Sequence, residues 1–364
     1  MQCVFLVRGF VGISFGLLGL ALLIGCQTTT QLTDEEKAHQ RQVELAHKRQ
    51  YLERIQSVEE AVYETLHVLG ETVAEFNEKE ALGYSGAVFA TKRFYPIDLE
   101  EVVDASFLGD FVAVRYVVGG SPADRGGLLL GDRLRLINGQ KVPKGERATS
   151  FIADRLRKLW RLDEPNQLLI ARNGEELVLE IEAEESAHYS VIVTPFIGEG
   201  IYAEGKTLYF SLKTMESLEG DEFDYLCAFA LVQNVMKHAK MKEQNAFIGG
   251  MLDMAAMFYG VNTAGIFGNM GRTAHQAGFL IESDLLALYS LARAGMDIRG
   301  YPGFWEASLS EGDRGIDRQS QKRIDAIRQI VVEIEAKRLS GEPIYPTEYL
   351  SGDWSLDDLN LDSE

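Results

Sequence analysis

The stretch from 111 to 142, FVAVRYVVGGSPADRGGLLLGDRLRLINGQKV, limits the fold more than any other part of the 364-residue chain. Short runs rich in β-branched and aromatic residues alternate with Gly and Pro, a pattern typical of short strands joined by turns. Gly131-Asp132 predicts a turn into a strand, and Asn138-Gly139 supplies residues that tolerate positive φ in a two-residue hairpin. The strand pattern extends from Gly83 to about Glu185, with a further hairpin at Asn173-Gly174.

The same region, residues 83–185, resembles a PDZ domain of the type associated with bacterial proteases. Members of that family bind extended peptides, often C-termini, by adding a strand to an open sheet edge. The features that carry the resemblance are, in chain order, Ser121-Pro122-Ala123, Gly127-Leu128, Gly131-Asp132 and Ile137-Asn138-Gly139.

The resemblance implies a carboxylate-binding loop early in this domain. The peptide-binding candidates are five consecutive residues, Ser85, Gly86, Ala87, Val88 and Phe89. The alternative for these five is an ordinary first strand.

The N-terminal 26 residues, MQCVFLVRGFVGISFGLLGLALLIGC, have one early cation, a long apolar core and a terminal cysteine. Leu23-Ile24-Gly25-Cys26 resembles a bacterial lipobox, in which the cysteine thiol carries diacylglycerol after cleavage. Residues 1–25 are therefore predicted to be a lipoprotein signal peptide. An uncleaved membrane anchor is the alternative, because the apolar run approaches spanning length. By the same resemblance Gln27, which is not Asp, favours the outer membrane of a bacterial envelope, facing the periplasm.

Charge and cysteine content exclude several classes of function. The formal net charge is −19, so phosphate backbones and anionic lipid surfaces would repel the chain, and nucleic acid is not expected as a partner. Once the signal peptide and the lipidated Cys26 are set aside, Cys227 remains alone and no intramolecular disulfide can form. Cys227 lies in an apolar helical segment, which favours a buried, inert thiol.

Residues 26–82 are predicted to form a helical stalk or linker. Thr33 and Glu36 have the spacing of a capping box, and no Gly occurs from there until Gly70. The first half is dominated by charged residues and Gln, whereas apolar periodicity strengthens from about Tyr51. A coiled-coil dimer is the sharper alternative, but the heptads are irregular.

Residues 186–346 resemble the HtpX-like gluzincin zinc metallopeptidases, specifically their periplasmic PDZ-containing lipoproteins. Four stretches carry the resemblance in order: IYAEGKTLYFSLKTM, NVMKHAKMKEQNAFIGGMLDMAA, ESDLLALYSLARAGMDIRGYPGFWEAS and KRIDAIRQIVVEIEAKRLSGEPIYP. The implied fold class is α+β: a helical stalk, a β-rich PDZ domain, and a mainly helical peptidase-like domain. An acidic tail follows at 347–364.

The chemistry of that family is missing from this chain. A gluzincin needs His-Glu-x-x-His on one helix face and a Glu from a later helix. Alignment on NVMKH places Phe229 and Gln233 at the two histidine positions and Ala230 at the general base. On the later helix, alignment of LIESD with the family's Glu-x-Glu-Ala-Asp places Leu280 at the third ligand. Apolar side chains offer no donor, and Zn²⁺ rarely selects a neutral amide oxygen. The resemblance therefore implies no zinc, no other cofactor and no catalytic residue.

Other polar residues of this region do not supply a substitute site. No two of the six histidines are four residues apart, and His238 and His275 are expected to be a helix histidine and a solvated loop histidine. Glu282 and Asp284 survive from the acidic motif of the family, and a helix-buttressing hydrogen bond is the expectation for them. Neither a G-x-S-x-G elbow nor a P-loop occurs after the predicted signal peptide.

Together these observations predict a membrane-anchored, non-catalytic adaptor or regulator in envelope protein quality control. Its partners would be extended or C-terminal peptide segments of envelope proteins, and an active paralogous protease. Two alternatives stay open: a metallopeptidase acting on envelope proteins through a reorganised site, and a scaffold that uses its N-terminal helix as the contact element.

Overall fold

The computed structural model describes residues 33–76, 81–103, 108–197, 200–203, 205–236, 276–310 and 316–354. The predicted signal peptide, Cys26, His238, His275 and the tail beyond residue 354 lie outside these ranges. Residues up to Glu44 form one compact unit and residues from Leu45 onward form another. Within the described ranges, every helix is too short or too polar to traverse a bilayer.

The first half of the chain contains one long helix followed by short strands, as the turn pattern predicts. The elements are α1 Asp34–Ala74, β1 Ala81–Tyr84, β2 Ala87–Ala90, β3 Ala113–Val117, α2 Pro122–Arg125, β4 Arg133–Ile137, β5 Gln140–Lys141, α3 Glu146–Asp154, β6 Asn166–Arg172 and β7 Glu175–Ile181.

The second half changes from strands to helices. Its described elements are β8 Glu184–Ala187, β9 Ser190–Thr194, β10 Ile201–Ala203, β11 Thr207–Ser211, α4 Leu212–Ser217, α5 Glu222–Val235, α6 Gln276–Arg293, α7 Tyr301–Leu309, α8 Arg318–Ser340 and α9 Thr347–Ser351. The chain is therefore of the α+β class, which confirms the fold class predicted from the sequence.

The largest sheet is an antiparallel sheet in the order β2-β3-β4-β6-β7, and β5 also pairs with β4. Both predicted two-residue hairpins are confirmed: Asn138 has φ 49° between β4 and β5, and Asn173 has φ 52° between β6 and β7. Strand β2 lies at the edge of this sheet, where it pairs with β3 on one side and with none of the described strands on the other.

Two smaller sheets complete the strand structure. β1 pairs with β8 in antiparallel fashion, which brings the two ends of the PDZ-like region together. In the other sheet β11 is antiparallel to β10 and parallel to β9. β1 and β8 each cross one of the predicted boundaries of the PDZ-like region, which are at residues 83 and 185. The paired strands therefore belong partly to this region and partly to the segments that flank it.

Residues from Leu45 onward contain two main hydrophobic cores. One lies inside the PDZ-like sheet, around Phe89, Ile137 and Leu168. The other joins α1 to β9, β11 and the helices α5, α6 and α8, and it also takes in Ala113 of β3 and Tyr95, both from the PDZ-like region. The two predicted domains therefore share packing.

The second half of α1 differs from the predicted stalk. Its apolar residues recur at spacings of three, four and seven, which places them on one helix face, and that face is buried in the second core. The buried apolar residues between Leu52 and Val73 are Leu52, Ile55, Val62, Leu66, Leu69 and Val73. Residues 52–74 are thus a core helix, and only the segment before them remains a stalk prediction.

A buried ion pair joins α1 to the PDZ-like sheet. Arg115 of β3 places Nη1 3.0 Å from Oε2 of Glu59, and both side chains are only 1% exposed. The guanidinium lies 5.3 to 6.0 Å from the ring centroids of Phe94, Tyr63 and Tyr95. Burial raises the pKa of Glu59 to about 7, against the opposing effect of Arg115.

Glu59 also accepts a hydrogen bond from the backbone N–H of Val193 at 3.4 Å, so the same carboxylate contacts β9. One turn later, Tyr63 Oη accepts from the N–H of Val191 at 2.9 Å. Glu64 accepts from the hydroxyl of Tyr116 at 2.5 Å and from the N–H of Gly119 at 3.1 Å. Helix α1 therefore holds β3 and β9 through one patch of polar side chains.

We expect removal of either partner of this ion pair to cost about 3–5 kcal/mol of unfolding free energy, because the other charge stays buried without a counterion. Glu59→Leu and Arg115→Met test this in urea unfolding, and the double variant should recover most of the loss. Arg54→Met is the matched control: it removes an exposed pair with Glu216 from the same helix and should cost less than about 1 kcal/mol. If either single variant were as stable as the control variant, the expected contribution of the Glu59–Arg115 pair to the unfolding free energy would be wrong.

Candidate functional site

The turn before β2 is fixed by Gly86. This residue has φ +77°, and a Cβ atom added to it would lie 2.1 Å from Cβ of Ser121. Its carbonyl accepts from the N–H of Val118 at 2.9 Å, and the carbonyl of Ser85 accepts from the N–H of Ala123 at 2.7 Å. Only glycine adopts this positive φ without strain and leaves room for the side chain of Ser121. Any other residue at position 86 would change the backbone of the turn.

A cavity of about 390 Å³ is lined by β2, and none of the residues of β3 lines it. All five peptide-binding candidates, residues 85–89, line it, and the C-terminal part of α3 forms the facing wall through Ile152, Ala153 and Asp154. The structure thus brings the predicted residues together at one cavity. This volume falls in the range of pockets that hold ligands in proteins.

Residues outside the predicted PDZ region also form the wall of the cavity. Tyr63 and Leu66 come from α1, the segment 188–190 lies between β8 and β9, and Gly205 and Lys206 lie in the turn between β10 and β11. Sequence reasoning missed these residues because no local motif marks them. They reach the cavity only through the pairing of β1 with β8 and the packing of α1.

Tyr84, which lines the cavity, packs against two imidazole rings, of which His188 also lines the cavity. The ring of Tyr84 lies 5.5 Å from that of His67 and 5.2 Å from that of His188, centroid to centroid. Burial, assisted by the positive charge of Arg157, lowers the pKa of His188 to about 4. His188 is therefore neutral at neutral pH, and the wall it belongs to is apolar in character.

A polar chain positions the turn between β10 and β11. Asn234 of α5 accepts a hydrogen bond from the N–H of Gly205 through its side-chain oxygen. The ammonium of the next residue, Lys206, lies 2.8 Å from a carboxylate oxygen of Asp154 at the end of α3. The helix α5 thereby supports one rim of the cavity.

The four positions that the gluzincin resemblance aligns with zinc-site residues lie on two helices. Phe229 and Ala230 of α5 are buried, whereas Gln233 of α5 and Leu280 of α6 are partly exposed. The ring of Phe229 packs edge-on against Trp305 at 4.8 Å. In the described ranges, His, Cys, Asp and Glu side chains form no group of three that could hold a metal ion.

A guanidinium occupies the space next to Phe229. Arg323 of α8 lies 3.9 Å from the ring centroid of Trp305 and 5.0 Å from that of Phe229. It donates to both oxygens of Asp284 at 2.7 and 2.9 Å, and Tyr301 donates to the same carboxylate at 2.9 Å. The buttressing role expected of Asp284 is confirmed, with Arg323 as a partner that the sequence did not reveal.

Cys227 is buried in the core, and burial raises the pKa of its thiol well above the ordinary value. A protonated, enclosed thiol is a poor nucleophile. The expectation of a buried thiol is confirmed.

Comparisons with known proteins find similarity over a limited share of the chain. No family model and no curated protein matches the chain. Among solved structures, the HtrA-type protease AlgW with a decapeptide is 26% identical over 29% of this chain and 30% of its own length, with a TM-score of 0.21. The HtrA3 PDZ domain bound to a phage-derived ligand, FGRWV, is 20% identical over 29% of this chain and 88% of its own length, again with a TM-score of 0.21.

These likenesses are to PDZ-containing proteins, and the similar stretch spans less than a third of the AlgW chain. A TM-score of 0.21 carries no functional conclusion, so the function has to follow from the geometry of the cavity. The gluzincin resemblance of residues 186–346 stays a prediction.

We expect the fold around Phe229 to depend on Arg323 and on no metal ion. Arg323→Met would leave Asp284 buried without its counterion, at a cost of about 3–5 kcal/mol in urea unfolding followed by tryptophan fluorescence. Arg328 lies on the same helix as Arg323 and forms half-exposed pairs with Glu306 and Asp325. Arg328→Met is therefore the control, and it should cost less than about 1 kcal/mol of unfolding free energy. A strong chelator should leave the unfolding curve of the unmodified chain unchanged, and a chelator-induced loss of stability would contradict this account.

Proposed function

We propose that the chain is a membrane-anchored, non-catalytic binding protein that captures extended or C-terminal peptide segments of envelope proteins, as an adaptor or regulator in protein quality control. The observation that supports this most is the cavity between the unpaired side of β2 and the helix α3. An open strand edge beside a lined cavity is the arrangement that accepts a peptide as an additional strand.

The backbone direction of β2 supports strand addition. The carbonyl of Gly86 accepts a hydrogen bond from the N–H of Val118, so this carbonyl points toward the end of β3. Hydrogen-bonding residues alternate along an antiparallel strand, and Ala87 therefore directs its backbone carbonyl to the opposite side, toward the cavity. Its N–H is held by Ser85 Oγ at 3.2 Å, which fixes the start of the strand.

The surroundings of Phe229 argue against a metallopeptidase. The side chains at the four aligned positions supply one amide oxygen between them, and the guanidinium of Arg323 lies 5.0 Å from the ring centroid of Phe229. Arg323 donates to both oxygens of Asp284, so this nearby carboxylate is already paired and is not available as a metal ligand. In this proposal helix α5 supports the cavity rim through Asn234 and takes no part in catalysis.

The anchor and the compartment are part of the proposal. Lipidation at Cys26 would tether the chain to the envelope, facing the periplasm, without any help from basic residues. An acidic chain with a peptide cavity at this place would meet envelope proteins and active paralogous proteases, either of which could present a peptide segment. No zinc or other cofactor is required for this activity.

Binding can be tested with a variant that fills the cavity. Ala153 is exposed on α3 and lines the cavity, so Ala153→Trp should occupy the groove without disturbing the core. We expect a labelled peptide with a free, bulky apolar C-terminus to bind the unmodified chain, and to bind this variant at least tenfold more weakly by fluorescence anisotropy.

Arg147→Trp is the matched control, because Arg147 is exposed on the same helix and does not line the cavity. It should bind the peptide like the unmodified chain. Equal affinities for all three proteins, or no peptide binding to any of them, would refute the proposed function.

A further inference from the structure

The lining of the cavity has a charge opposite to that of the whole chain. Among the described lining residues, Arg157, Lys158 and Lys206 carry positive charge, and Asp154 carries the single negative charge. The chain as a whole has a formal net charge of −19. A local excess of cations on such an acidic protein favours an anionic ligand at this place and disfavours cationic ones.

The same cavity has a large aromatic surface. Its ring-bearing lining residues are Tyr63, Tyr84, Phe89, Phe94, Trp160 and Tyr189. Trp160 and Tyr189 are buried, and the guanidinium of Arg157 lies 4.7 Å from the ring centroid of Tyr189. Rings of this kind receive an apolar or aromatic side chain, with ring-to-ring contacts contributing about 0.5–1.5 kcal/mol beyond area burial.

The apolar and cationic parts of the lining differ in exposure. The rings come from α1, β1, β2, the segment after β2, the turn after α3 and the segment between β8 and β9, and all six are buried or partly buried, whereas Lys158 and Lys206 are exposed. A ligand that places a bulky side chain inside would therefore bring its neighbouring residues past the two lysines.

We propose that the cavity selects peptides that carry an acidic side chain within their last three residues, next to a bulky apolar C-terminal residue. This inference rests on the proposed peptide-binding function and specifies its ligand. The acidic side chain would lie against Lys158 and Lys206, and the terminal side chain would lie among the rings. Because Lys206 comes from the turn between β10 and β11, the peptidase-like part of the chain contributes directly to selectivity.

The test uses labelled decapeptides of one sequence that differ at single places, titrated into the purified protein. The parent ends in Glu-Phe with a free carboxylate, and its relatives carry Gln for Glu, Ala for Phe, or a terminal amide. We expect the Gln peptide to bind about tenfold more weakly than the parent at low ionic strength, which corresponds to about 1.4 kcal/mol. The difference should shrink at high salt, because exposed charges are screened.

Charge reversal on the protein provides the second arm. The double variant Lys158→Glu, Lys206→Glu should lose the preference for Glu over Gln, whereas Lys141→Glu, an exposed change in β5 away from the cavity, should keep it. Circular dichroism checks that each variant is folded. The terminal amide shows whether the free carboxylate contributes separately from the acidic side chain.

The outcomes separate the two proposals. Tight binding of the Glu and Gln peptides alike, or a preference for Glu that survives in the double variant, overturns the acidic selectivity and leaves peptide binding intact. Absence of binding to every peptide overturns the proposed function together with this inference.

Discussion

The ion pair between Glu59 and Arg115 is the interaction on which the arrangement of the cavity depends. Two charges that are 1% exposed are tolerable only as a pair, so α1 and β3 are held at one relative position. The same carboxylate contacts the N–H of Val193, and the neighbouring Tyr63 both bonds to Val191 and lines the cavity. The helix α1, which the sequence predicts to be a stalk, therefore forms part of the cavity wall in its second half.

The peptidase-like part supports the cavity in a comparable way. Asn234 lies on the helix where the aligned zinc ligands would be, and it holds the turn that carries Lys206 to the rim. Arg323 pairs with Asp284 and packs on Phe229 and Trp305, so the buried carboxylate has its counterion within the chain. Through Asn234, helix α5 contributes to the position of the cavity rim.

Local chemistry made part of this structure predictable. The hairpins at Asn138 and Asn173 follow from residues that accept positive φ, and the β-rich middle of the chain follows from its short strand-like runs between Gly and Pro. The burial of α1 was hidden because charged residues on its outer face dominate its composition. The contributions of His188 and Lys206 to the cavity depend on strand pairing between distant segments, which no local pattern encodes.

We propose that a peptide binds along β2 and against α3, and that the turn at Gly205 and Lys206 forms one side of its cavity. Amide hydrogen exchange with and without a bound peptide measures this directly, because each segment reports its own protection. We expect slower amide exchange in residues 84–90, 150–158 and 205–206 when peptide is added, and unchanged exchange in α8. Protection that appears only elsewhere, or no protection at a peptide concentration that saturates binding, would contradict it.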